Sequence, residues 1–416
     1  MKQEIFKEYL SEPVQSLYRP IQACKSVITY AEALLDLEEV KYLLENRYSG
    51  KDYWERHGIC FENCYETIQN WLKDQEEIYI SDFCKKIHSA FDVGIVDNHL
   101  AVCSPMTGRM SFGKQYQAYF ADFVVRKENE KYIVCESKCP LVNKGASVCG
   151  TDCFFPTLPF AGQERFLVGK RSFTPLTEMT IVIDNMPVTI PLHPCRTGDN
   201  EKGDVCFYPK KIGGISVLRS NCCDYTDTLR ESDDLVLLGK KYADTPCLLM
   251  NYLFNEGGYN RITRDFIQGL NDYVHCEEYS IKLISSVTEG CDCMRHWELI
   301  SDAIPYEQEK GTYNGTVVLL VNKDTASSGE TAILYAKSLR NLIIIGENTM
   351  GCNTFGNVAK YTLTHSGIVV QVPNVINLCK NPSDCAEGKG FTPDYWLDTD
   401  TPEEETISWM KEKFIK

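Results

Sequence analysis

At 416 residues the chain is long enough for two or three domains and a sizeable core. Its formal net charge of −15 opposes a nucleic-acid function, because phosphate binding draws on clustered Lys and Arg. No apolar run approaches the roughly 20 residues that cross a bilayer and the first residues carry no signal-peptide core, so a cytoplasmic protein without a membrane span is expected.

Residues 1–90 read as a helical region, with apolar residues at helical spacing through PIQACKSVITYAEALLDLEEVKYLLENRY, YWERHGICFENCYETIQNWLKDQ and ISDFCKKIHSAF. From 109 to 207 the texture changes. YFADFVVRKENEKYIVCES and TEMTIVIDNMPVTIPLH each read as two strands around a turn, which makes this stretch a β-rich insertion. Residues 91–108 and 208–416 form the remaining domain, where strand-like runs (GGISVLRS, PCLLMNYL, TVVLLV, LIIIG) alternate with helical ones (231–241, RITRDFIQGLNDYV, ETAILYAKSL). That alternation predicts an α/β layered core with partly parallel strands.

Twenty cysteines are too sparse here for a disulfide scaffold, which needs about 8–10% of a short chain, and mostly reduced thiols are expected. Cys60 with Cys64, Cys135 with Cys139, and Cys149 with Cys153 share one spacing. The last two pairs raise a four-thiolate zinc site as an alternative, against buried apolar thiols. Cys222 with Cys223 and Cys291 with Cys293 are read in the same way.

The segment with most chemical content is KDTASSGETA, 323–332, between the strand TVVLLV and the helix ETAILYAKSL. Two readings are open. Ser327 with Glu330 three residues on is a capping box. Alternatively, a serine at a strand-to-helix turn has unused helix amides beside it, where an oxyanion is stabilised. A nucleophilic serine also needs a base and an orienting group. Asn255, Gly257 and Gly258, at the end of LLMNYLFNEGG, supply a turn whose amides approach a neighbour closely, or a plain turn. His99 in DNHLAV and His365 in THSG are rival bases, and Glu387 in AEGKGFTPD is either an orienting carboxylate or a solvated loop acid.

Taken in order, these residues resemble the tail-specific, or C-terminal processing, serine proteases and the tricorn core protease. That family has a Thr/Ser-Ala-Ser-x-x-Glu turn, here ending at Ser327 and Glu330. It has a Gly-Glu-x-Thr-x-Gly element, here GENTMG at 346–351, an Asn-x-Gly-Gly element at 255–258, a Gly-x-x-Pro-Asp element at 390–394, and an Asp-x-His element at Asp97–His99. The resemblance implies a crotonase/ClpP-like spiral α/β protease core. It also implies a peptide-binding PDZ domain where the β-rich insertion stands, although the loop glycines there match poorly.

One departure bears on mechanism. Where tail-specific proteases place a general-base lysine after GENTMG, this chain has Cys352. The tricorn-like branch instead uses the histidine of Asp-x-His and a glutamate before Gly-x-x-Pro-Asp, which are His99 and Glu387 here. Asn98 stands where that branch has a small hydroxyl residue, and the strand end before Asn255 carries Asn251 and Leu253 in place of an acid and an Arg. The resemblance thus implies a serine peptidase, acting as an endopeptidase or a carboxy-terminal processing enzyme. Ser327 would be the nucleophile, His99 the base and Glu387 its partner, with amides of Ser328 and of Gly257 or Gly258 as the oxyanion site. No cofactor and no metal are called for, the partner is a polypeptide or peptide, and a homo-oligomer is left open. A catalytically inactive peptide- or ligand-binding protein on the same fold is the alternative.

Overall fold

The helical spacing of the first region produces four helices in the computed structural model, which describes residues 25–198, 205–276, 278–286, 294–301, 311–381 and 387–415. They are α1 (Tyr30–Asn46), α2 (Lys51–Arg56), α3 (Phe61–Lys73) and α4 (Ile80–Phe91). Helix α1 begins with a formed capping box, in which the Thr29 hydroxyl accepts from the Glu32 amide and the Glu32 carboxylate accepts from the Thr29 amide. Buried positions three and four apart, such as Leu37, Val40 and Leu44 in α1 or Phe61, Cys64, Tyr65 and Ile68 in α3, give each helix one apolar face.

The chain divides into two units. The first is built from described residues within 1–114, 278–303 and 352–388, so the chain leaves it and returns twice. Its sheet is antiparallel, in the order Met294–Ser301, Glu278–Ser286, Val369–Cys379, Asp97–Ser104, Gly108–Phe112, with Phe355–Thr362 also paired to Val369–Cys379. Helices α1 to α4 bury their apolar faces against it in one core that includes Phe355, Val370 and Val372.

The second unit, within 115–277, 304–351 and 389–416, carries a fourteen-stranded sheet. Its centre is parallel: Ile215–Arg219, Cys247–Asn251, Thr316–Val321, Leu342–Gly346 and Tyr395–Trp396 lie side by side. The run TVVLLV is buried along almost its whole length, as a strand covered on both faces must be. Helices α5 (Ser232–Lys241), α6 (Arg261–Asn271), α7 (Ser328–Ala336) and α8 (Pro402–Phe414) connect or follow these strands. The β-rich stretch extends the same sheet, because Phe154–Phe160 pairs with Tyr395–Trp396 through Thr157 and Trp396. Among the described residues of 115–198 there are strands and no helix, so nothing there corroborates the PDZ-like expectation for the insertion.

Parallel strands end on a common edge of a sheet, where ligands bind in open α/β sheets. The loops after Asn251, Val321 and Gly346 all leave from that edge, and they hold Asn255, Gly257, Gly258, Ser327 and the GENTMG element.

Candidate active site

Ser327 precedes α7 at φ 52°, ψ −120°, and its side chain makes no capping hydrogen bond. The capping-box reading therefore fails. A serine in that region carries backbone strain of order 1–3 kcal/mol, and a sharp strand-to-helix turn is the geometry that presents a nucleophile. Glu330 is engaged elsewhere. Its Oε1 accepts from the Thr349 hydroxyl at 2.6 Å and from the Gly351 amide at 2.9 Å, and Thr349 Oγ1 in turn accepts from the Phe391 amide at 2.7 Å. This buried carboxylate ties α7 to the GENTMG and Gly-x-x-Pro-Asp loops.

The Gly-Gly turn lies against the serine. A Cβ on Gly257 would come within 2.8 Å of Ser327 Cβ and 3.0 Å of the Ser328 amide, and one on Gly258 would meet the Cys223 carbonyl at 2.2 Å. Both glycines have positive φ, 99° and 137°. No other residue allows the approach and the conformation together. Buried Asn255 organises the turn: its Oδ1 accepts from the Gly257 amide at 3.0 Å, its Nδ2 donates to the Ser220 carbonyl at 2.7 Å, and its carbonyl accepts from Ala326 at 2.8 Å. The Gly257 amide is thereby committed within the turn. Of the three amides named from the sequence, those of Gly258 and Ser328 have no acceptor among the described residues. The Ser328 hydroxyl, 2.7 Å from the Gly258 carbonyl and 2.6 Å from Asn260 Oδ1, holds the turn to the helix start.

The strand end before Asn255 lacks its expected acid at 251 but keeps a charge network. Glu403, from α8, accepts from Arg219 Nε at 2.7 Å and from Asn251 Nδ2, and Asn251 Oδ1 accepts from the Leu253 amide. The carboxylate has moved to another element while still serving the same strand end.

The first unit holds the other candidates. Asp97 opens the Asp97–Ser104 strand fully buried, with Oδ1 accepting from the His99 and Leu100 amides at 2.8 and 2.9 Å, and this turn fixes the His99 backbone. The His99 imidazole is half-buried, and its Nδ1 has no hydrogen-bond partner among the described residues. Burial pushes its pKa down to about 4. The Arg109 cation adds to that, and a hydrogen bond to the backbone of Phe355 opposes it. Arg109 is held by the Asn98 carbonyl at 2.6 Å and by Gln371.

Glu387 accepts from the Thr354 amide at 3.0 Å and, at a long 3.4 Å, from the Asn98 amide. It is thus gathered with Asn98 and His99, but it grips backbone rather than Nδ1 of the imidazole. His365 is placed differently: its amide donates to Asp36 at 2.9 Å and its Nδ1 lies 3.9 Å from Glu32, both on α1. Cys352 is buried.

No group of three or more His, Cys, Asp or Glu suited to a metal lies among the described residues. Cys135 donates to the Val124 carbonyl, Cys139 belongs to an apolar core and Cys149 is exposed. Cys291 and Cys293 lie outside the described residues. Cys379 is disulfide-bonded, which the expectation of mostly reduced thiols did not single out.

Residues 261–397, which span the Ser327 turn, GENTMG and the Gly-x-x-Pro-Asp element, match Peptidase family S41. That stretch is similar to an S41 peptidase domain. No curated protein matches the chain in sequence. Among solved structures it is similar to mature CPAF, at 13% identity and TM-score 0.50 over 91% of this chain and 96% of that one. It is also similar to the photosystem II D1 C-terminal processing protease (14%, TM-score 0.39, 90% and 94%) and to the tricorn protease (12%, TM-score 0.45, 93% of this chain and 37% of that one). The first of these likenesses is one of fold, over most of the chain. No helix among the described residues is long and apolar enough to cross a membrane.

Sequence reasoning did not find Tyr48, Arg109, Asn260 or Glu403. None stands in a motif. A buried tyrosine at the end of a helix reads only as core, and Glu403 lies in an acidic first turn that reads as a helix start.

Proposed function

We propose that this protein is a serine peptidase of the Ser-His kind, hydrolysing peptide bonds through an acyl-enzyme. Ser327 Oγ attacks the scissile carbonyl, His99 takes its proton and later returns it to the leaving amine, and the amides of Gly258 and Ser328 receive the oxyanion. Water then repeats the sequence to free the acid product. The observation that carries the reading is the backbone of Ser327, held at positive φ with the Gly257 turn packed on its Cβ. Strain of this kind persists where surrounding contacts over-determine it, and it clusters at functional sites.

The depressed pKa of His99 keeps the imidazole neutral at pH 7, the form a base requires. The imidazolium formed during attack then needs a carboxylate, and Glu387 supplies that charge. The tricorn-like assignment rests on Cys352, because a cysteine there excludes a Ser-Lys dyad. The substrate is a polypeptide, cut internally or near its carboxy terminus.

A fluorophosphonate probe tests the reading, since it forms a phosphorus–oxygen bond with an activated serine and releases fluoride. Wild type is expected to label once, on the peptide containing Ser327, and Ser327→Ala not at all. A folded wild-type protein that takes no label would replace the peptidase by the inactive binding protein, which the unpartnered Nδ1 of His99 favours.

A further inference from the structure

A hydrogen-bonded chain of buried side chains runs from the helical region to the backbone of His99, and the proposed mechanism so far makes no use of it. Trp54 Nε1 donates to the Tyr48 hydroxyl at 2.9 Å, and that hydroxyl donates to Asp97 Oδ2 at 2.8 Å. Asp97 Oδ1 takes the amides of His99 and Leu100. Tyr48 and Asp97 are both 0% exposed. The tyrosine ring also packs on Phe355, centroid to centroid 6.2 Å, and on Phe61 at 6.4 Å. Phe355 is the residue whose backbone meets the His99 ring, and it follows Thr354, whose amide donates to Glu387. Tyr48 thus touches the frame of the imidazole from both sides.

Stability alone does not call for this arrangement. A carboxylate and a phenol removed from water cost free energy that their mutual hydrogen bonds at best offset, whereas phenylalanine in place of Tyr48 would keep the ring packing. What the polar chain adds is direction: an ionised acceptor at one distance from the His99 amide, kept ionised by a hydroxyl that is itself oriented by an indole N–H. Burial is the largest influence and raises the Asp97 pKa to about 6, while Tyr48, the two amides and the Arg109 cation pull it back toward the ionised form. The charged groups facing the pair are Arg109 from the Gly108–Phe112 strand, acting on Asp97 and His99, and Glu387, acting on Tyr48.

We propose that Tyr48 is a positioning residue of the peptidase reaction, holding the His99 backbone through Asp97 and bracing Phe355 with its ring, with Trp54 orienting its hydroxyl. The inference rests on the reading of His99 as the general base. Tyr48 touches neither substrate nor the reacting atoms.

Two readouts test it on the full-length protein. The first is fluorophosphonate labelling of Ser327, separated into the rate at saturating probe and the half-saturating probe concentration. The second is the His99 amide signal in protein labelled with ¹⁵N-histidine, assigned by its loss in His99→Gln. Tyr48→Phe is expected to lower the saturating rate about tenfold or more with half-saturation little changed, as when one hydrogen bond to a charged group is lost from the catalytic frame. The His99 amide should move upfield as its acceptor weakens. Trp54→Phe, which keeps Tyr48 and Asp97 in place, should show the same two changes at smaller size, so the inference stays testable if Tyr48→Phe does not fold. Both variants labelling at the wild-type rate, with the His99 amide unmoved, would make Tyr48 a core aromatic only and overturn the inference. His99→Ala labelling at the wild-type rate would instead remove the base assignment and the inference with it, whereas His99→Ala inactive beside a fully active Tyr48→Phe would remove the inference alone.

Discussion

The turn at Ser327 and the strand start at His99 achieve order by different means. Around Ser327 the work is done by backbone and small residues: two glycines, an asparagine that captures an amide and a carbonyl, and a buried Glu330 that binds a hydroxyl and an amide. Around His99 it is done by large side chains from distant parts of the chain, including Tyr48, Trp54, Arg109 and Glu387. A backbone-built site is written in contiguous residues and tolerates little substitution, because it depends on exact torsions. A side-chain-built site is scattered along the sequence, and its electrostatics can be tuned one residue at a time. The contrast explains why the serine side carries the readable motifs.

The largest effect tests the backbone-built half. Ser327→Ala should lose essentially all hydrolysis, on the order of 10⁴-fold or more. Ser327→Gly should be equally inactive yet more stable than wild type by about 1 kcal/mol in urea unfolding, because glycine relieves the positive φ. A glycine variant less stable than wild type would mean that the turn stores no strain.

The next effects compare the candidate bases. His99→Ala should lose on the order of 10³-fold in kcat/KM, and Glu387→Gln about tenfold to a hundredfold, because the imidazole stays but its compensating charge goes. Cys352→Ala should keep most activity, as befits a buried thiol filling the position of a lysine. Equal losses in His99→Ala and Cys352→Ala, measured on one peptide substrate, would erase the distinction between them.

The smallest effect is electrostatic. Arg109 disfavours the charged imidazole and favours the charged Asp97. Arg109→Gln should therefore raise both pKa values and move the acid limb of the kcat/KM profile to higher pH, with the loss shrinking as pH rises. The His99 contribution to stability has a definite sign as well. His99 has a folded pKa near 4 against an ordinary 6.5, so between those values the unfolded chain binds more protons at this residue and its contribution rises with pH, while Asp97, raised from 3.8 to about 6, contributes in the opposite sense. Arg109→Gln should flatten the His99 contribution in that window. An unshifted acid limb would show that Arg109 acts on neither group.

Much of the local structure could be read from the chain before any coordinates. TVVLLV is a strand at Thr316–Val321 and ETAILYA lies in helix α7, because an apolar run bounded by polar residues and a helical period are local patterns. That the Gly257–Gly258 turn leaves room for a close neighbour was legible from residue type beside the plain-turn reading, but that the neighbour is the Ser327 turn came with the fold. Local pattern misled at Ser327, where serine with glutamate three residues on spells a capping box that the fold does not form. Glu330 finds better donors in Thr349 and Gly351, which are distant in sequence.

Tertiary structure alone decided the rest. That described residues within 278–303 and 352–388 return to the first unit, and that the β-rich strands continue the core sheet, depends on pairings between distant segments that no local period encodes. The same holds for the acid at Glu403 standing in at Asn251 and for the hydroxyl of Tyr48 reaching Asp97 across 49 residues. Residue types and their spacing determine which torsions and which strands or helices are available. Which buried polar groups meet is settled only when the whole chain has found partners for them, because a group left without one costs more than most single contacts contribute.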